Sequence, residues 1–132
     1  MSDQERRVER EAVLDAPLRE VWEALTDERL LGEWLAQDAE LDPVPGGAAS
    51  FRFPDGEKRA GTVLEVEEES SLAFSWARRG EPESVVAFRL EPLNGRTRLI
   101  VIERGPALSP IAGPQWVARL HAFAAALAVV AA

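Results

Sequence analysis

The chain contains no cysteine. That excludes a disulfide framework, a thiol nucleophile and every thiolate metal site, and it suits a reducing compartment. Histidine occurs once, at His121. With one imidazole and no thiolate, no zinc or iron site is expected, and no cofactor. Basic residues are outnumbered, and the formal net charge is −8. Nucleic acid and anionic membrane surfaces both call for a basic face, so neither is expected as a partner. Long apolar runs are also missing. The longest, Ala122–Ala132, falls short of the roughly 20 residues that span a bilayer. The N-terminal MSDQERRVERE has no apolar segment of the kind a signal peptide needs. A cytoplasmic location without membrane insertion is expected. Lysine occurs once among 15 basic residues and alanine is abundant, a bias that points to a GC-rich bacterial coding sequence.

What is present suits a folded protein. The chain has 132 residues, 46% hydrophobic and 29% charged, enough to build a core without staples. Neither a repeat nor a linker divides it, so one domain over residues 1–132 is expected. Arg6–Leu14 reads as a strand, with Val8, Ala12 and Leu14 on one face. Pro17 is placed to open a helix, and Leu18, Val21, Trp22 and Leu25 form one stripe of it. Thr26-Asp27 offers a cap for a second short helix, whose apolar face is Leu30, Leu31, Trp34 and Leu35.

Strands dominate the middle of the chain. Ala48–Phe53, Arg59–Glu67, Leu72–Trp76, Val86–Leu90 and Thr97–Glu103 alternate with a period of two between turn signals, the strongest being Asn94-Gly95. In Arg59–Glu67 the inward set reads as Thr62, Leu64 and Val66, with Val63 outward. Arg52, Arg59 and Arg89 are expected outside. A proline-rich loop (Gly105–Pro114) leads to a final helix of about four turns. Trp116, Leu120, Phe123, Leu127 and Val130 share one of its faces, and Gln115 and Arg119 lie off it.

The order is strand, two short helices, antiparallel meander and long C-terminal helix. It resembles the helix-grip fold of the START-like, birch-pollen-allergen-like superfamily, also called SRPBCC. The motifs narrow the resemblance. Ala16-Pro17 with Val21-Trp22 and Ala24-Leu25-Thr26-Asp27, then Trp34, Gly61-Thr62-Val63, Leu72-x-Phe74-x-Trp76, Thr97-x-Leu99, Glu103-x-Gly105 and Trp116 are similar to the branch named for an activator of a heat-shock chaperone ATPase. Two departures stand out: Pro106–Pro114 is unusually rich in proline, and the last helix is rich in alanine. The resemblance implies an α+β fold, a curved sheet wrapped on a long helix with an apolar cavity between them.

The expected function is non-catalytic binding of a small apolar or aromatic molecule in that cavity. Its walls would be Trp34, Phe51, Leu64, Phe74, Trp76, Phe88, Leu99, Glu103, Trp116, Leu120, Phe123 and Leu127. Periodicity alone does not separate cavity lining from core filling. Glu103 shares a strand face with Leu99 and Val101, so its carboxylate would point into the cavity mouth. It would serve there as a ligand anchor, or in an ion pair with Arg52 or the neighbours of Arg104. A cyclase or hydrolase of the polyketide type is the enzymatic alternative, with Glu103 and His121 as the residues to test. A protein-binding module of the chaperone-activator kind is a third reading. It would use an outer surface, with Val63, Val85 and Ile100 as members.

Other candidates carry less. His121 lies at the edge of the last helix with no carboxylate at fixed spacing. Asp38, Glu40 and Asp42 alternate like calcium ligands, but Pro43 and Ala49 stand where that loop needs glycine and glutamate. Glu65, Glu67, Glu68 and Glu69 read as a solvated strand end. Gly46-Gly47 lacks the lysine of a phosphate loop, and Ser50 and Ser75 lack a histidine partner.

Overall fold

The computed structural model describes residues 5–131, with side chains through residue 128; Val130 lies outside the described side chains. Strand β1 (Arg6–Leu14) leads to helices α1 (Leu18–Thr26) and α2 (Glu28–Trp34). Strands β2 (Asp38–Leu41), β3 (Ala48–Arg52), β4 (Lys58–Glu67), β5 (Ser71–Trp76), β6 (Ser84–Leu93) and β7 (Arg96–Gly105) follow, and helix α3 (Ala112–Ala131) ends the chain. All neighbouring strands are antiparallel, in the order β1-β7-β6-β5-β4-β3-β2. The architecture is the α+β helix grip.

Local chemistry explains the opening segment. Pro17 caps α1 rather than occupying its first turn, and its fixed φ of −71° in extended backbone starts the helix cleanly. Val21, Ala24 and Leu25 bury one stripe of α1. Asp27 ends α1 and starts α2: its Oδ1 accepts from the amides of Arg29 (2.8 Å) and Leu30 (3.1 Å). The Trp34 indole then donates to the Ala24 carbonyl at 2.9 Å, which fastens α2 to α1. Asn94 and Gly95 both have positive φ, 51° and 83°, the two-residue turn that joins Leu93 to Arg96 with the right twist.

The sheet holds two departures from the alternation reading. The first is β2, a four-residue edge strand that pairs Asp38–Leu41 with Ala49–Arg52. Asp38-Ala39-Glu40-Leu41 alternates over only four residues, too few to announce a strand, and the Glu28 carboxylate of α2 accepts from the Leu41 amide at 2.9 Å to hold it.

The second departure is a β-bulge in β4. Val63 pairs with Phe74 and Glu65 pairs with Ala73, so Leu64 is the extra residue. Val63 bonds in both directions to the preceding turn, accepting from Gly46 N and donating to Gly47 O at 2.8 Å. The bulge turns Thr62 and Leu64 outward and leaves Val66 packed against the core, as expected. Val63 is buried at 1% exposure, while Leu64 stands at 50% exposure and so forms no part of the inner wall. Counting back from Val63, Arg59 is carried inward, with its side chain only 13% exposed. Gly61 lies between them, and a Cβ there would come within about 2 Å of the Ser75 carbonyl oxygen. Only glycine permits that approach of β4 to β5.

Helix α3 lies across the inner face. Trp116, Leu120, Phe123 and Leu127 are buried there with Leu14, Leu25, Phe51, Phe74, Trp76, Phe88, Leu99 and Val101. Thr97, fully buried, donates to the Ala16 carbonyl at 2.8 Å and ties β7 to the end of β1. Of the outer-surface candidates, Val63 and Ile100 are both buried.

Candidate functional site

The inner aromatic residues form one continuous stack. Trp34 meets Phe123 at 4.4 Å and Phe88 at 6.0 Å between centroids. Phe74 contacts Phe51, Trp76 and Phe88. Trp76 lies nearly parallel to Trp116 at 6.1 Å. Aromatic contacts of this kind add to the apolar burial, and here they fill the grip with side chains. Two small voids adjoin the stack. One, of about 30 Å³, touches Trp34, Leu30 and Leu127. The other, of about 60 Å³, lies at the opposite end, bounded by Arg59, Trp76, Ser84, Glu103, Leu108, Ala112 and Gln115. A large open groove between α2 and the β2–β3 edge is lined mainly by charged and polar residues, Glu28, Arg29, Glu33, Asp38, Arg52 and Lys58 among them.

The 60 Å³ end is where the chemistry collects. Glu103 on β7 is 2% exposed. Its Oε1 accepts from Trp116 Nε1 at 2.8 Å. Its Oε2 accepts from Trp76 Nε1 at 2.8 Å and from Ser84 Oγ at 2.6 Å. The inward direction of this carboxylate was legible from its strand face. Its partners are instead two indoles and a hydroxyl. Arg52 bonds Asp38 at the exposed sheet edge, and Arg104 bonds Glu5. Three donors stabilise a buried carboxylate without a counter-ion in contact.

Two arginines complete the end wall, and both were expected elsewhere. Arg119 lies on α3, one turn after Trp116. Its guanidinium carbon sits 4.7 Å from the Trp116 ring centre and 5.5 Å from those of Trp76 and Phe53. The stem leaves the helix off the buried face, and the flexible side chain folds the head back onto the rings. Arg59, brought inward by the bulge, sits 4.7 Å from Trp76 and 5.3 Å from Phe53. The two guanidiniums thus share two aromatic rings.

Their charges are balanced unequally. Arg59 donates to Glu57 from Nε at 3.1 Å, and Arg78 takes the same carboxylate at 2.7 Å. Burial pushes Glu57 up, but Arg78 and Arg59 outweigh it and hold its pKa below the usual carboxylate value. Arg119 makes no salt bridge among the described residues, and its Nη1 is buried with no hydrogen-bond partner. Burial, reinforced by the Arg59 charge, lowers its pKa to about 10 against the pull of Glu103 and Glu57.

The remaining candidates stand apart from this end. His121 is exposed on α3. Ser75 bonds the Thr62 amide and Glu83. Asp38 and Glu40 lie on β2, and among the described residues no group of three acidic, histidine or cysteine side chains could hold a metal. None of the described helices is long and apolar enough to cross a membrane. Alternation concealed Arg59 behind the bulge. Arg119 had a signal, its three-residue spacing from Trp116, which places two side chains side by side on a helix.

The curved seven-stranded sheet, the two short helices and the grip of α3 define a protein of the SRPBCC class. Residues 15–124 match the family described as Activator of Hsp90 ATPase homolog 1-like protein, and the chain belongs to that family. Among solved structures it is similar to MLL2253 from Mesorhizobium loti, with 26% identity, a TM-score of 0.84, and 93% of this chain and 97% of that one covered. It is similar to DynU16 of the dynemicin biosynthetic locus, at 27% identity and a TM-score of 0.82 over 97% of this chain; the match spans 48% of DynU16, about half its length. The Aha1 dimer from Colwellia psychrerythraea shares the fold, at 18% identity and a TM-score of 0.77 over 92% of this chain and 96% of that one. Comparison with curated proteins finds no match.

Proposed function

We propose that this protein binds a small, largely apolar molecule at the end of the helix grip bounded by β6, β7 and the start of α3. The observation that carries the reading is the buried Glu103, held by two indoles and Ser84 beside a void. Buried ionisable groups oppose stability unless every lone pair and proton is matched. A core this rich in aromatics has no structural need of them, and clusters of this kind concentrate at binding and catalytic sites. Trp76, which borders the void with Trp116 stacked behind it, supplies affinity for a flat apolar body. The void of about 60 Å³ holds only a few water-sized groups, whereas enclosed sites for drug-sized molecules run to about 300 Å³ or more. The body of the ligand therefore lodges by displacing the 106–111 loop over α3. DynU16, a similar chain, comes from a biosynthetic locus, a setting that fits a protein handling small molecules.

No proton-transfer step is required of this site. Glu103 is occupied by donors, and His121 is exposed. The chaperone-activator reading finds less support, because two of the three residues named for its outer surface, Val63 and Ile100, are buried.

The test is a titration with 2-naphthalenemethanol followed through the four indole N–H signals in a proton–nitrogen NMR spectrum. Shifts of the Trp76 and Trp116 signals, with Trp22 unmoved, support the reading. Ser109→Phe, in the exposed loop at the rim of the void, should block those shifts. Spectra that stay unchanged at millimolar ligand, or shifts confined to the α2 groove, overturn it.

A further inference from the structure

We propose that the ligand carries an anionic carboxylate head, received by the Arg59–Arg119 pair over the Trp76 ring. The inference rests on the binding reading above and adds to it the chemistry of the head group.

The argument starts from hydrogen-bond accounting. A guanidinium stacked on rings satisfies its faces and leaves its N–H edges free for in-plane acceptors. Arg59 directs its edge to Glu57. The buried Nη1 of Arg119 has no acceptor among the described residues, an arrangement disfavoured for any polar group and more so for a charged one. Glu103 does not supply the acceptor, since its oxygens are directed to Trp76, Trp116 and Ser84.

Placement of the charges points the same way. The buried and half-buried charged groups at this end are Arg59, Arg119, Glu57 and Glu103, while Arg78, Glu81 and Glu83 are exposed on the rim, where solvent screens them. Glu57 is engaged by Arg59 and Arg78, and Glu103 by Trp76, Trp116 and Ser84, so neither is left for Arg119. Arg59 and Arg119 approach the same two rings, Phe53 and Trp76, so each raises the cost of the other. A carboxylate between them supplies the missing acceptor and separates like charges. The void that Arg59 and Trp76 border is of the size of such a head group. Bidentate geometry favours a planar carboxylate over a spherical anion.

The probe pair is 2-naphthoate and 2-naphthalenemethanol, which share a ring system and differ in the head. Titration calorimetry at pH 7 should give the carboxylate about ten-fold or more the affinity of the alcohol, the scale of one charge-assisted hydrogen bond. Arg119→Gln and Arg59→Gln should each bring the ratio of the two affinities close to one. Arg119→Lys, which keeps the charge but not the fork, should recover only part of the preference. Equal affinity of the wild-type protein for both probes overturns the proposal and leaves the binding reading intact. A preference that survives both glutamine variants also overturns it. Failure of both probes to bind removes the two readings together. The wild-type comparison decides the matter even where a variant folds poorly.

Discussion

Glu103 on β7 accepts a hydrogen bond of 2.8 Å from the indole of Trp116 on α3. This one contact joins the last strand to the last helix across the proline-rich loop. The second oxygen of the same carboxylate holds Trp76 and Ser84, so one buried side chain organises three strands and a helix. A group so placed has large effects when altered, and those effects are measurable without any ligand.

Glu103→Gln replaces two acceptor oxygens with one acceptor and one donor. At least one indole N–H is then left facing an amide N–H in the core. Urea unfolding should show a loss of about 2 kcal/mol, with the Trp76 or Trp116 indole signal displaced. An unchanged midpoint would show that these hydrogen bonds contribute nothing net.

Arg119 should act in the opposite sense. Burial depresses its pKa to about 10, below that of an arginine in the unfolded chain, so between the two values the unfolded chain binds the proton more tightly than the folded one. Stability from this residue is therefore least at neutral pH and rises as pH climbs through about 10. Arg119→Met should be at least as stable as wild type at pH 7, because a buried unmatched charge is replaced by an apolar stem. Its advantage should shrink between pH 9.5 and 11.5. Urea unfolding of both proteins across that range, with an advantage that grows instead, would refute the assignment.

The bulge predicts unequal neighbours. Leu64→Asn replaces a half-exposed side chain and should change stability by no more than about 0.5 kcal/mol. Val63→Asn places an amide in the core and should cost about 3 kcal/mol or more. Similar losses for the two would mean that β4 runs without the extra residue.

Trp34→Phe keeps an aromatic ring against Phe123 but removes the N–H that bonds the Ala24 carbonyl. The expected loss is about 1–2 kcal/mol. Amide hydrogen exchange should quicken first in α2, since the bond anchors that helix to α1. Uniform quickening across the sheet would contradict this local role.

Much of the architecture could be read from residue order. Leu18, Val21 and Leu25 announce a helix stripe, Val86, Phe88 and Leu90 announce a strand face, and Asn94-Gly95 announces a hairpin. The inward turn of Glu103 followed from Leu99 and Val101 on the same face. The β2 strand was hidden because Asp38-Ala39-Glu40-Leu41 alternates over only four residues, too short a stretch to stand apart from a loop; β3 and Glu28 bond to it and hold it as a strand.

The residues alone determined the elements other than β2 and their order, and the resemblance carried by their motifs implied the helix-grip arrangement. The reason is that periods of 2 and 3.6 and turn residues are properties of short stretches of chain. The tertiary structure decided which charged groups meet at the end of the grip. Val63 bonds the Gly46-Gly47 turn, and the bulge that results sends Leu64 out and Arg59 in. The Arg119 head goes to Trp116 and Trp76 because a long flexible stem reaches whatever surface packing brings near. Both outcomes depend on partners distant in sequence, and no pattern within β4 or α3 records where those partners will be.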